Sequence, residues 1–113
     1  MPAKGGSSKG YSSNYATGIR AENKVASQYR SNGWSVAQSA GSRGAADLKC
    51  TKGNTQHYVQ VKSSTTGTPY ISNHEIGRLK STATRNDATS VVAKVTPAKI
   101  VIQYAKTEGS VKL

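Results

Sequence analysis

The sequence predicts an α/β domain in which two helices pack on a five-stranded sheet. Two stretches place apolar residues at helical spacing, and five short runs alternate or are rich in β-branched residues. They come in the order helix, three strands, helix, two strands. At 113 residues one domain is expected: a flexible basic arm over 1–15, the folded domain over 16–106 and a tail over 107–113. There is no Phe and one Trp, so Val, Ile, Ala, Leu and six Tyr must fill a modest core, with the Tyr hydroxyls needing partners or solvent.

Met1 to Tyr15 is rich in Gly, Ser and Lys without an apolar period, and reads as a mobile basic arm. It either wraps a phosphate backbone or is a solvated tail that adds only charge. A first helix is expected from Thr17, which can cap it, to Asn32-Gly33, where Gly accepts the left-handed conformation that ends helices. At about 100° per residue from Ile19, Val25, Tyr29 and Ala26 fall between about 240° and 340°, with Glu22 at about 300° among them. A carboxylate in an apolar stripe is costly unless it is paired or binds a metal. Glu22 is therefore a candidate acidic element of a site. The competing reading is an ion pair with an Arg or Lys of a neighbouring strand.

Trp34 to Gln38 alternates as a first strand, and Ser39 to Gly44 is a Gly-containing loop in which Ser42 and Arg43 offer donors to a phosphate. Ala45 to Thr51 reads as a second strand, Lys52-Gly53-Asn54 as a hairpin turn, and Gln56 to Lys62 as a third strand. Tyr58, Gln60 and Lys62 then share one face, opposite Val59 and Val61. Ser63 to Ile71 is a polar connection. Ser72-x-x-Glu75 matches a capping box and opens a second helix from Asn73 to about Thr84, which accounts for Glu75 as a cap. Thr89 to Val95 and Lys99 to Ala105 complete the strands, and Lys106 to Leu113 is expected to fray.

Sixteen Lys and Arg against five Asp and Glu give a net charge of +11. Such an excess is felt chiefly by polyanions, so nucleic acid is the leading partner class. Membrane binding ranks low. No uncharged apolar run approaches the roughly 18 residues of a spanning helix, and no basic amphipathic helix has a bulky apolar face. The lone Cys50 forms no internal disulfide and reads as a strand residue; with no apolar run after the basic N-terminus, an intracellular, cytoplasmic location is expected. His57 and His74 read as surface residues rather than metal ligands. Tyr58 and Tyr70 offer rings for base stacking, although packing is the commoner role of Tyr on a half-buried strand. Internal repeats, a Walker loop, a zinc-type Cys/His cluster and a Gly-x-Ser-x-Gly elbow are all lacking.

Asp47 lies in the second strand and Gln60 and Lys62 in the third, joined by a short turn, and adjacent strands run about 4.8 Å apart. Asp47 can hold a divalent cation, the Gln60 oxygen adds a neutral ligand, and Lys62 supplies positive charge near a scissile phosphate. The set points to a metal-dependent nuclease.

With Glu22, Asn32-Gly33-Trp34, Gly41-Ser42, Asp47, Gln60-Val61-Lys62 and Pro69-Tyr70-Ile71, the chain resembles the restriction-endonuclease-like nuclease superfamily, and within it the archaeal Holliday junction resolvases. The resemblance implies a central mixed five-stranded sheet flanked by helices and a homodimer that resolves four-way junctions by paired symmetric nicks. It further implies Mg²⁺, with Mn²⁺ substituting, held by Asp47, the Gln60 oxygen and Glu22. Lys62 and Ser42 would act at the phosphate, and Lys4, Lys9, Arg20, Arg43, Lys49 and Lys62 would contact DNA. Two positions depart from the family pattern. Ala46 stands where Pro is usual, and Gln60 replaces the usual Glu, as in the Mrr-like branch, which removes one negative charge from the metal site. The alternatives are an Mrr-like or nicking endonuclease of the same fold, a catalytically silent nucleic-acid-binding protein, and a small basic ribosome-associated or chromatin protein.

Overall fold

The computed structural model of the chain describes residues 9–38 and 44–113, with 9–17 described in backbone only. In chain order the elements are α1 (Lys9–Ser31), β1 (Ser35–Gln38), β2 (Leu48–Lys52), β3 (Thr55–Ser63), α2 (Asn73–Arg85), β4 (Thr89–Val95) and β5 (Ile100–Tyr104). The strands form one sheet in sequential order. Every neighbouring pair is antiparallel except β3 and β4, which run parallel. A parallel pair needs a crossover, and α2 supplies it. This is the expected mixed five-stranded α/β sheet with its two helices.

The junction between α1 and β1 follows from Gly33, whose φ of 89° only glycine adopts cheaply. The Gly33 N–H donates to the Arg30 carbonyl and the Trp34 N–H to the Tyr29 carbonyl, which closes the helix with a Schellman motif. The apolar contact that accompanies this motif is present too: the Tyr29 and Trp34 rings meet edge to face with centroids 5.1 Å apart. At the other tight turn Gly53, φ 62°, links β2 to β3.

Alternation along the strands divides the core into two layers. Ala21, Val25, Ala26 and Tyr29 of α1 pack on the face that carries Leu48, Cys50, Val59, Val61, Val91 and Ala93. Leu79 and Ala83 of α2 pack on the opposite face against Tyr58, Val92 and Ala46. A helix on each side buries the central strands, as parallel pairing requires.

Three expectations are corrected. The helix begins at Lys9 rather than Thr17, so Lys9 to Tyr15 has helical backbone. The C-terminal segment is not frayed: Tyr104 N–H donates to Gly109, Val111 N–H donates to Ile102, and Val111 and Leu113 pack on the α1-side core, covering the outer edge of β5. His57 is not a surface residue but 4% exposed, with its Nδ1 2.9 Å from the Tyr29 hydroxyl. Tyr58 is buried as packing, whereas Tyr70 is 78% exposed. Lys4, Ser42 and Arg43 lie outside the described residues, and the Lys9 side chain is not described.

Candidate active site

β2 starts at Leu48, opposite Val59, so the last residues of β3 run on without a β2 partner. The Val61 N–H on that bare edge would be an orphan donor, and the Asp47 carboxylate takes it, Oδ2 to N 2.9 Å. Asp47 is itself held at the start of the strand by its own N–H, which donates to the Val59 carbonyl at 2.8 Å. A carboxylate that is 6% exposed is thereby fixed at the point where two strands part.

Around this point opens a polar cleft of about 310 Å³. Four parts of the chain line it: Glu22 from α1, Asp47 from the entry to β2, Gln60 and Lys62 from β3, and Glu75 and Arg78 from α2. Glu22, Asp47, Gln60 and Lys62 are thus brought together as the sequence predicts. Glu22 is half-buried at the cleft wall, flanked on its helix by the buried Ala21, Val25, Ala26 and Tyr29. Of the other expected cations, Arg20 and Lys49 are described, and neither lines the cleft. Arg20 borders Ser63 and Pro97 beyond the end of β3, and Lys49 lies over the Tyr58 ring, 5.3 Å from its centroid.

Two of the cleft's three acids are held above their ordinary pKa. Burial raises the pKa of Asp47, opposed by the Val61 hydrogen bond and by Lys62 and reinforced by the Glu75 charge. Burial, and then the Asp47 charge, raises Glu22. Two carboxylates that each resist ionisation want a cation between them. Gln60 also lines the cleft, and carboxylates with an amide oxygen are hard donors, the chemistry that suits Mg²⁺ or Mn²⁺. Among the described residues no group of three or more His, Cys, Asp and Glu gathers as a metal cluster. Two carboxylates and an amide still fit a small cation that keeps several of its waters.

Glu75 and Arg78 join the site without a place in the sequence expectation. Glu75 is indeed the N3 residue of the α2 capping box with Ser72. Its second oxygen, however, holds the Lys62 ammonium at 2.5 Å, and that pairing, first of all, brings the Glu75 pKa down. Capping alone accounts for Glu75 in the sequence. A signal is nonetheless present in the residue's position, because α2 is the next element after β3 and its first turn returns beside the end of that strand.

The family described as archaeal Holliday junction resolvase (Hjc) matches residues 13–109. No curated protein matches by sequence. Among solved structures, Hjc of the archaeal hyperthermophile Archaeoglobus fulgidus, a Holliday junction resolvase, superposes with a TM-score of 0.72 over 80% of this chain and 74% of that one. Its sequence identity is 22%, so the superposition speaks for the fold. Resolvase nucleases generally need divalent metal ions, and the oxygen donors of the cleft are suited to one. No helix among the described residues is long and apolar enough to cross a membrane. A family match that takes in most of α1, the whole sheet and α2 settles the relationship: the chain belongs to the archaeal Holliday junction resolvases and is an endonuclease.

Proposed function

We propose that the protein resolves four-way DNA junctions as a homodimer by paired, symmetric phosphodiester cleavage, with Glu22, Asp47, Gln60 and Lys62 as its working residues. The observation that supports this most is the convergence of those four side chains on one polar cleft whose two carboxylates are pushed up by burial. Asp47, the Gln60 amide oxygen and, directly or through water, Glu22 would hold Mg²⁺, with Mn²⁺ as a substitute. Such an ion supplies an activated water and neutralises charge on the phosphate. Lys62 stands at the cleft to orient the attacking water or to balance the charge that grows on the phosphate oxygens. Ser42 and Arg43 offer donors to the scissile phosphate and its neighbour, and Lys4, Lys9, Arg20 and Lys49 carry the flanking DNA backbone. A two-fold dimer presents two clefts to opposing strands, which paired nicks require.

One observation favours a second reading, a silent junction binder. Gln60 is neutral, and Lys62 is engaged with Glu75. End-labelled four-way junction and matched linear duplex, each incubated with Mg²⁺, Mn²⁺ or chelator, separate the readings. Metal-dependent paired nicks confined to the junction are expected. Tight binding without product would favour the silent binder, and Gln60→Glu would then be the variant to restore cutting. Equal cutting of both DNAs would favour an Mrr-like or nicking nuclease.

A further inference from the structure

The ion pair at the cleft is more constrained than a surface pair usually is. One Glu75 oxygen accepts from the Ser72 N–H at 3.1 Å and lies 3.2 Å from the Ser72 hydroxyl, while the Glu75 N–H donates back to that hydroxyl at 3.1 Å. The other oxygen holds Lys62. The carboxylate is therefore anchored before the lysine arrives, and the lysine alone bears the cost of ordering. Capping does not need this pair, because Gln serves at the same helix position as well as Glu. A lysine is a flexible point charge, free to move to whichever carboxylate is nearest. Gln60, its neighbour on the same strand face, carries no charge, and Asp47, whose carboxyl feels the Lys62 charge, lies across the cleft. Without a competing acid on α2, the ammonium would settle on Asp47 and occupy the position a cation needs.

Building on the site proposed above, we infer that Glu75 is a positioning residue of this active site: anchored to the α2 cap by one oxygen, it holds the Lys62 ammonium with the other and keeps it off Asp47. Glu75 thereby gives the cleft the third carboxylate that position 60 lacks, placed to direct a lysine rather than to bind metal. The N-terminus of α2 becomes part of the catalytic apparatus and not only a packing element.

The decisive variant is Glu75→Gln in the full chain, since it keeps the capping box and removes only the charge. Its melting temperature in chelator should stay within about 4 °C of the parent, as loss of a partly exposed ion pair allows. Its kcat on the four-way junction should fall roughly 10- to 100-fold and its Mn²⁺ affinity, read by calorimetry, should weaken over a similar range, as loss of a residue that orients a ligand or catalytic group does. Its KM for the junction should not change. Parental kcat and Mn²⁺ affinity in this variant, with Lys62→Ala inactive, would overturn the positioning role alone. A fully active Lys62→Ala would instead overturn the site on which it rests. Nitrogen-detected NMR of the lysine ammonium groups gives an independent reading on the unaltered chain. A Lys62 signal protected from exchange supports the anchored pair, and a signal averaged with the surface lysines contradicts it.

Discussion

Asp47 serves two demands at one position, as the acceptor that completes the β3 edge and as the buried charge of the cleft. Its folded pKa lies above the ordinary carboxylate value, and so does that of Glu22. For a raised acid the favourable contribution is present below the unfolded pKa and is lost as pH rises through the folded one. At neutral pH without metal both groups therefore weaken the fold. Asp47→Asn should abolish cleavage and yet melt no lower than the parent in chelator at pH 7, because an amide oxygen still accepts the Val61 N–H. Added Mg²⁺ should raise the melting temperature of the parent and not of the variant; a lower melting temperature in chelator would show that the charge itself stabilises. His57 works in the other direction. Burial lowers its pKa below the ordinary 6.5, so the stability it contributes is present above that value and is lost as pH falls below it. Melts between pH 8 and 5 should show this loss, and His57→Gln, which can still bond Tyr29, should flatten it. The polar side chain of His57 suggests a surface position, yet the residue alternates with Val59 and Val61 toward α1, and the strand period is the better guide. Asp47, Gln60 and Lys62 are legible in the sequence because strand alternation and a short turn fix which residues meet. Glu75 is not, because its role depends on where a helix comes to rest.

At the scale of elements, the sequence is most readable where local chemistry ends or starts a segment. Ser72 and Glu75 begin α2, Gly33 ends α1, and Gly53 turns the hairpin, each for a reason present within a few residues. The early start of α1 escapes this kind of reading. Lys9 to Thr17 has no apolar period, and a helix already nucleated downstream adds one hydrogen bond for each residue it takes in, whatever that residue packs against. The C-terminal segment escapes it too, although Val111 and Leu113 stand two apart as a strand-like pair would. Both rest on the α1-side core, and the Leu113 main-chain oxygen lies 3.5 Å from Trp34 Nε1 and 3.3 Å from Lys52 Nζ. Removing residues 110–113 should cost about 1–3 kcal/mol, the burial of two partly covered aliphatic side chains, read as a shift in the denaturant midpoint. An unchanged midpoint would mean that the segment rests on the core without supporting it.

For the molecule as a whole, charge governs the encounter with DNA and the cleft governs the chemistry on the bound strand. With sixteen basic residues against five acidic ones, binding to a junction should weaken steeply as salt rises, since each phosphate contact releases condensed counterions. Removal of residues 1–8, which carry Lys4, should reduce the slope of log affinity against log salt by about one if that residue contacts a phosphate, and should leave cleavage of bound junction unaltered. An unchanged slope would assign those residues no part in DNA binding. Cleft substitutions such as Lys62→Ala should do the reverse, sparing the slope and stopping the chemistry. The sheet order has a further outcome in time. Asp47 and Val61 are 14 residues apart within one hairpin, whereas β4 reaches β3 only after the whole α2 crossover. Short closures are entropically cheaper, so the meander of β1 to β3 should condense first and the crossover last. Conservative truncations at Leu48 or Val59 should then slow folding, while those at Val91 or Leu79 should chiefly speed unfolding. The acid proposed to accept the cation would be in place while the nascent chain was still open, and the helix that holds the lysine would close over it late in folding.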